Sequence, residues 1–307
     1  MITSFFSKSK PINFIIVFFI TLLAFLIARL GIQNITFSTL TILKQLVLFS
    51  ICYISILILN FIVSKNSLTK HSNYETLLFS LFLLALFQST TNINILFSNF
   101  FVLLGLRRII SLRNQTNLDK KLFDAAFWIA IAALFYFWAI LFFILIIASL
   151  ALYSDNKINH WIIPFLGVTT VFVITIGLST VFDDSFFGLF KSLPEVSFDY
   201  SNYNSTRYLV SITLLLSFGI WSTIFYVKSI KQKKKAFRAS FNTILVGVLI
   251  AFLMIVFAPK KDGSEFLFMF GPLSIIIANY IEIIEEKWFK EVFLAILILV
   301  PFILLLL

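Results

Sequence analysis

Long runs of predominantly apolar residues follow one another along almost the whole chain. Seven of them occupy residues 12–30, 42–63, 161–181, 208–227, 241–258, 266–281 and 292–307. Most are close to the ~20 residues that a helix needs to cross a bilayer. A transmembrane barrel would instead show short strands of alternating polarity. Charged residues make up 12% of the chain, against about 25% in soluble domains, and the mean hydropathy is +1.03. These features predict an all-α integral membrane protein.

Two further apolar stretches, residues 76–106 and 123–153, are 31 residues long each. A single helix of that length would measure ~46 Å, which exceeds the ~30 Å hydrocarbon core of a bilayer. Each stretch is therefore either one over-long span or a hairpin with two short arms. If both are hairpins, the chain crosses the membrane eleven times, with its N-terminus inside and its C-terminus outside.

The distribution of basic residues favours the two hairpins. Lys and Arg accumulate in short cytoplasmic loops of membrane proteins. The hairpin topology places 18 of the 24 Lys and Arg residues inside, whereas two single spans would leave 13 inside and 11 outside. We therefore predict a polytopic helix bundle of about 11 spans, organised as one integral membrane domain over residues 1–307.

The segment FQSTTNINI, residues 87–95, interrupts the first long stretch with six polar residues. In a hairpin it forms the outer tip, at or below the membrane surface. Polar backbone at that depth is tolerated where protein or water surrounds it. The tip is thus either a plain solvated turn or the lining of an outward-facing, water-filled cavity. The predicted cavity-lining residues are Gln88, Ser89, Thr90, Thr91, Asn92 and Asn94.

Ionisable residues inside spans are costly and mark functional sites. Here Arg29, Lys44, Asp124 and Glu282 lie within a few residues of a span boundary, where they can reach the interface or cap a helix. A transporter of charged solutes or a proton pump would usually place a charge near the middle of the membrane. This pattern disfavours transport.

Asp183 and Asp184 are the most enzyme-like pair, because adjacent carboxylates can bind a divalent cation or act as a base. They follow a predicted span, and an ordinary solvated loop would contain such residues equally. The only cysteine, Cys52, lies in an apolar run, and the two histidines lie far apart in the chain. We therefore expect no metal site and no cofactor.

The segment KSIKQKKKAFR, residues 228–238, is the densest run of charge. Its cations would each gain ~1 kcal/mol beside an anionic leaflet, or would contact a protein partner. An ordinary loop that sets the topology has the same composition. The residues concerned are Lys228, Lys231, Lys233, Lys234, Lys235 and Arg238.

Residues 104–153, LGLRRIISLRNQTNLDKKLFDAAFWIAIAALFYFWAILFFILIIASLALY, resemble the middle of the polytopic C-type glycosyltransferases. There a basic inner loop precedes a short helix rich in small residues and then an aromatic break. The resemblance implies an enzyme that acts on a polyprenyl-linked or other lipid substrate. Such enzymes carry a catalytic Asp or Glu in the first outer loop, and residues 31–40 of this chain contain neither. It therefore implies a catalytically silent relative.

The start MITSFFSKSKPINF and the segment PLSIIIANYIE are similar to an uncharacterised family of multi-span inner-membrane proteins from Bacteroidota. The resemblance implies a multi-pass location in the bacterial inner, or cytoplasmic, membrane. It implies no chemistry.

Two functions are consistent with these observations. The first is a non-enzymatic subunit or scaffold of an envelope assembly for secretion or surface-polymer export, whose partners are membrane lipids and other membrane proteins. The second is an enzyme or binder that takes a lipid-linked substrate through the outward-facing cavity. Nucleic acid is not expected as a partner.

Overall fold

The computed structural model describes residues 2–30, 38–70, 72–153, 157–183 and 196–306. These ranges contain helices and turns and no strand, which confirms the prediction of an all-α protein.

The α-helices are α1 (Ile2–Phe6), α2 (Pro11–Leu30), α3 (Thr39–Asn66), α4 (Tyr74–Ala85), α5 (Ile93–Ile110), α6 (Leu118–Phe135), α7 (Phe143–Leu152), α8 (Ile158–Asp183), α9 (Thr206–Ile230), α10 (Lys235–Phe257), α11 (Leu267–Ile283) and α12 (Lys287–Ile303). Short 3₁₀ helices are η1 (Phe87–Thr90), η2 (Ser111–Asn114), η3 (Phe137–Phe142), η4 (Ser201–Tyr203) and η5 (Ser264–Phe266).

Seven helical segments of the described ranges are long and apolar enough to cross a membrane. They are Pro11–Leu30, Thr39–Asn66, Ile93–Asn114, Ile158–Phe182, Thr206–Ile230, Lys235–Phe257 and Ser264–Ile283. Two further apolar segments, Tyr74–Ala85 and Phe137–Leu152, are shorter. The chain is therefore built as a multi-span membrane protein, while the total of eleven spans and the sidedness of the termini stay predictions.

The chain forms two compact units. Unit 1 comprises Met1–Leu96, Asp199–Lys233 and Lys261–Leu307, and unit 2 comprises Phe97–Phe198 and Lys234–Lys260. Helices α1 to α4, α9, α11 and α12 belong to unit 1, and α6, α7, α8 and α10 belong to unit 2. Helix α5 begins in unit 1 and continues in unit 2.

Helices α4 and α11 form the core of unit 1. Every residue of α4 is buried, and α11 is buried from Leu267 to Ile281. Their contact includes the Phe270 ring, whose centroid lies 6.0 Å from that of Phe79 and 5.7 Å from that of Phe82. Helices α2, α3 and α12 pack around α4, and α9 packs on α11. A helix that is apolar on all sides is expected in such a central position.

Unit 1 has two ends, which side-chain contacts define. At the near end, where α4 begins and α11 ends, the Tyr74 hydroxyl donates to the Thr3 carbonyl over 2.6 Å and the Lys70 backbone N–H donates to the Glu282 carboxylate over 2.9 Å. At the far end, α2 ends, α11 begins, and η1 contacts η5.

In unit 2, α6 and α7 form a hairpin. The Arg113 guanidinium, just before α6, lies 4.2 Å from the Phe237 ring near the start of α10. Tyr153, which follows α7, also lies near the start of α10. Its hydroxyl forms a hydrogen bond with the Ser240 hydroxyl over 3.0 Å. The chain therefore enters α6 and leaves α7 at the same end of the unit. The break between them is at Tyr136, whose backbone is extended, within the aromatic sequence FYFW of residues 135–138.

Helices α6 and α8 run parallel in close contact. A Cβ atom on Gly167 of α8 would lie 2.8 Å from the Phe123 carbonyl oxygen and 2.9 Å from the Ala126 Cβ of α6. Nearer the start of both helices, His160 Nε2 lies 3.0 Å from Asp119 Oδ1. The small residues of α6 thus serve close helix packing.

Candidate functional site

Arg29, in the last turn of α2, is a buried cation that is only 8% exposed. Its Nη1 donates to Thr90 Oγ1 over 2.6 Å, and its Nη2 donates to the Thr90 carbonyl over 2.7 Å. Its Nε donates to Gln45 Oε1 of α3 over 3.1 Å. The guanidinium carbon also lies 3.5 Å from the centroid of the Phe25 ring. These contacts fix the guanidinium between α2, α3 and η1.

No carboxylate neutralises Arg29 within the described part of the chain. Arg108 pairs there with Asp124 over 2.9 Å, for example, whereas Arg29 has no such partner. A cation that is removed from water without an anion is costly, because the amide and hydroxyl oxygens around it compensate only part of its lost hydration. Arg29 is therefore a site that favours an incoming anion.

Arg29 lies at an apolar cleft between α2 and α3. The cleft has a volume of about 450 Å³. Its walls are Leu22, Phe25, Leu26, Leu30, Thr41, Ile42, Gln45, Leu46 and Phe49, together with Arg29. Leu26 and Leu46 are both more than half exposed, so the cleft is open along its length. A long apolar ligand with an anionic end matches this shape and charge.

Three polar residues of the segment 87–95, Thr90, Thr91 and Asn92, hydrogen-bond the backbone of the tip itself, whereas Gln88 Oε1 and Ser89 Oγ are buried without a partner. The hydroxyls of Thr90 and Thr91 donate to the carbonyls of Phe87 and Gln88 over 3.0 and 2.8 Å. The Asn92 side-chain oxygen accepts from the Ile95 N–H over 3.3 Å, which caps the start of α5. This is a physical reason for a polar interruption between two apolar helices.

The six predicted tip residues differ in exposure. Ser89 and Thr90 are buried, Gln88, Thr91 and Asn92 are half-buried, and Asn94 is exposed. Thr90 contacts Arg29 directly, whereas the water-filled cavity that these residues were predicted to line stays a prediction.

A second polar group lies at the same end of unit 1. Glu265 is fully buried, its Oε1 accepts from the Gly263 N–H over 3.3 Å, and its Oε2 has no hydrogen-bond partner. The backbone of Gly263 has a φ of 85°, which favours glycine, and the Tyr208 hydroxyl donates to the Asp262 carbonyl over 2.7 Å. The Tyr203 hydroxyl is likewise buried and without a partner.

Two charged residues of this region have altered acidity. Burial lowers the pKa of the Lys261 ammonium, which lies 4.9 Å from the Tyr200 ring and is 2% exposed. The Ser201 backbone N–H donates to Asp199 Oδ1 over 2.9 Å and lowers the pKa of that carboxyl. The far end of unit 1 thus combines buried cations, a buried acid and several hydroxyls.

Several glutamates of unit 1 are buried or half-buried, among them Glu75 and Glu282 at the near end and Glu265 at the far end. Glu282 was predicted to reach the interface or cap a helix, and its carboxylate accepts from the Lys70 N–H and from the Ser72 hydroxyl. Glu75 and Glu265 were missed. Both directly precede an apolar run, and that position was the one available signal.

The basic run of residues 228–238 joins α9 to α10. Lys228, Lys231, Lys234, Lys235 and Arg238 are exposed, and Lys233 is half-buried. Burial lowers the pKa of the Lys233 ammonium. The exposure is compatible with contact to a leaflet or a partner, and that role stays a prediction.

The predicted catalytic pair lies at the edge of the described chain. Asp183 is the last residue of α8, and Asp184 lies outside the described residues. The structure therefore gives this pair no geometry, and its catalytic role stays a prediction. Among the described residues, no group of three or more His, Cys, Asp or Glu side chains is arranged to hold a metal ion.

The family model described as "Family of unknown function (DUF6427)" matches residues 1–306. The chain belongs to DUF6427. No curated protein and no solved structure matches this DUF6427 chain. Its function must therefore be argued from the buried arginine and the cleft beside it.

Proposed function

We propose that this DUF6427 chain is a multi-pass protein of the bacterial inner membrane that binds a phosphate-bearing lipid. The lipid phosphate pairs with Arg29, and the hydrocarbon chain lies in the cleft between α2 and α3. The uncompensated, buried charge of Arg29 carries this proposal.

The chemistry of the cleft supports a lipid over a soluble anion. Guanidinium groups bind phosphate through charge-assisted hydrogen bonds. Apart from Thr41, Gln45 and Arg29, the cleft is lined by Leu, Ile and Phe side chains. A soluble phosphate would contact Arg29 but leave the apolar walls of the cleft uncovered. A lipid would contact Arg29 through its phosphate and the apolar walls through its hydrocarbon chain.

The predicted topology places Arg29 at the outer leaflet. In unit 2, Arg107, Arg108, Arg113, Lys120, Lys121, Lys157, Lys234, Lys235 and Arg238 lie around the end at which α6 and α10 begin and α5 and α7 end. Such clustering of basic residues is typical of the cytoplasmic side. It supports the proposed eleven spans, with the N-terminus inside.

The proposed binding is non-enzymatic. It retains the lipid ligand implied by the resemblance to C-type glycosyltransferases without requiring their acidic residue. Asp183→Ala combined with Asp184→Ala should leave lipid binding unchanged. If the protein is a subunit of an envelope assembly, in Bacteroidota or elsewhere, the lipid would be a structural component of that assembly. Identification of the proteins that co-purify with it in mild detergent tests this role.

The charge of Arg29 is tested with Arg29→Gln, because Gln retains an amide donor for Thr90 and loses the charge. Lipids retained by the purified protein are measured by native mass spectrometry. We expect phosphate-bearing lipid to bind roughly ten- to a hundredfold more weakly, because a charged hydrogen bond contributes ~1.5–3 kcal/mol. Lys44→Gln, on the exposed surface of α3, is the matched control. Equal lipid retention by both variants, with each folded, would rule the proposal out.

The cleft is tested separately by filling it. Leu46→Trp places a large ring in the cleft, whereas Leu43→Trp changes an exposed residue of the same helix outside its lining. We expect Leu46→Trp alone to reduce the retained lipid. If lipid is lost on changing Arg29 but not on filling the cleft, the ligand is an anion without a bound chain.

A further inference from the structure

Glu75 is a completely buried carboxyl group in the first turn of α4, at the near end of unit 1 and away from Arg29. Its side chain is 0% exposed, and neither of its oxygens has a hydrogen-bond partner. The helix around it is buried along its whole length. Glu75 is therefore shielded from bulk solvent and receives no hydrogen bond from another side chain.

The other acids at this end are satisfied differently. The Glu282 carboxylate accepts from the Lys70 N–H and from the Ser72 hydroxyl. The Glu291 carboxylate accepts from the N–H and the hydroxyl of Thr3. Each of these two carboxylates therefore accepts hydrogen bonds from two donors, whereas the Glu75 carboxyl accepts none from another residue.

Two buried amides beside the start of α4 also have an unused polar atom. They are Asn73, with an unpartnered Nδ2, and Asn13 of α2, with an unpartnered Oδ1. Their other groups are held in place, because the Asn73 backbone N–H donates to the Phe6 carbonyl over 3.0 Å and the Asn13 Nδ2 donates to the Lys8 carbonyl over 2.9 Å. α2 packs directly on α4. A neutral carboxyl, which donates through one oxygen and accepts through the other, complements one free acceptor and one free donor.

No cation described at this end of unit 1 forms an ion pair with Glu75. An ion buried without a partner costs several kcal/mol, and a carboxyl group avoids that cost by taking up a proton. The titratable groups at this end of unit 1, on α4 and the segments around it, include Lys8, Lys10, Lys65, Lys70, Tyr74, Tyr226, Lys228, Lys231, Lys233, Tyr280, Glu282, Glu285, Glu286, Lys287, Lys290 and Glu291. No ion pair between any of these groups and Glu75 is present in the described ranges.

We infer that Glu75 is a proton-binding site, whose carboxyl is neutral in the folded protein at neutral pH and exchanges its proton with water at the near end. Release leaves the carboxylate on Glu75 and gives the proton to water, so it requires the start of α4 to become hydrated. Proton occupancy is thereby coupled to the packing of α4 against α2.

Infrared difference spectroscopy of the full chain in lipid nanodiscs tests this directly. At pH 7, the spectrum of the wild type minus that of Glu75→Gln should contain the C=O band of a protonated carboxyl. The matched control is Glu282→Gln, whose difference spectrum should lack that band, because the Glu282 carboxylate accepts hydrogen bonds from the Lys70 N–H and the Ser72 hydroxyl. Absence of the band from the Glu75 spectrum would overturn the inference.

A second measurement covers the case in which the spectrum is altered by misfolding of the variant. A group that binds a proton more tightly in the folded state stabilises it at low pH, and this stability is lost as the pH rises. The Tm of the wild type should therefore fall by several degrees from pH 5 to pH 9 relative to that of Glu75→Gln. A wild-type Tm that instead depends on sodium chloride, but not on potassium chloride, would show a metal cation at Glu75 and contradict the proton site.

Discussion

At the scale of single residues, the burial of charged and acidic side chains depends on packing against distant parts of the chain. Arg29 was predicted to reach the membrane interface from the end of a span. In the structure it is buried, because Thr90 and Gln45 provide oxygen acceptors that the local sequence does not show. Glu75 and Glu265 lie next to apolar runs, and their burial follows from the packing of α4 and η5 against other segments.

The close packing of α6 on α8 can be tested by adding a methyl group at Gly167. Gly167→Ala would bring a Cβ within 2.8 Å of a backbone oxygen, and we expect a loss of ~1–3 kcal/mol from overpacking. Gly177→Ala, on the same helix with no atom within 4 Å, should be neutral or stabilise the helix by up to ~1 kcal/mol. Thermal unfolding of both variants in detergent measures the difference. Equal Tm values would contradict the close contact.

At the scale of helices, the length of the apolar runs predicted most of the helices, and it also predicted that both long stretches are interrupted. Both long apolar stretches are interrupted, the first within residues 87–95 and the second at Tyr136. An uninterrupted helix of ~46 Å would not match the thickness of a bilayer. The burial of the whole of α4 was not predictable, because a helix in contact with lipid and a helix buried in protein have the same apolar composition. The arms of the first hairpin are also unequal, with 12 residues in α4 and 18 in α5.

The contact between Glu282 and the connection before α4 gives an element-scale prediction. Glu282→Ala removes the acceptor of the Lys70 N–H, so the amides of residues 68–70 should exchange with deuterium at least several-fold faster. Glu285→Ala changes an exposed residue just after the same helix and should leave that exchange unchanged. Hydrogen exchange read by mass spectrometry compares the two. Unchanged exchange in Glu282→Ala would mean that the carboxylate does not hold this connection.

At the scale of the whole molecule, composition was sufficient to predict a helical membrane protein, and it did not reveal the division into two units. Segments of unit 1 come from three separate parts of the chain, and a sequence without visible repeats carries no local sign of that arrangement. The sidedness rests on the distribution of Lys and Arg, which is a property of the chain as a whole.

Cysteine accessibility tests the sidedness. In a Cys52→Ser background, Asn114→Cys should resist an impermeant thiol reagent added to intact spheroplasts, and Asn204→Cys should react. Asn114 precedes α6, and Asn204 lies just before α9 at the far end of unit 1. Lysed spheroplasts, in which both should react, are the control. Rapid labelling of Asn114→Cys from outside would contradict the eleven-span topology.

The complete burial of α4 has a consequence for biogenesis. A twelve-residue segment is shorter than the ~20 residues of a stable transmembrane helix, and it begins next to an acid. Helices α2 and α3 can pack on it early, but α11 and α12, which complete its burial, are made much later in translation. The nascent protein must therefore hold an incomplete core until nearly the whole chain has left the ribosome, and this interval is where an insertase or membrane chaperone would act on it.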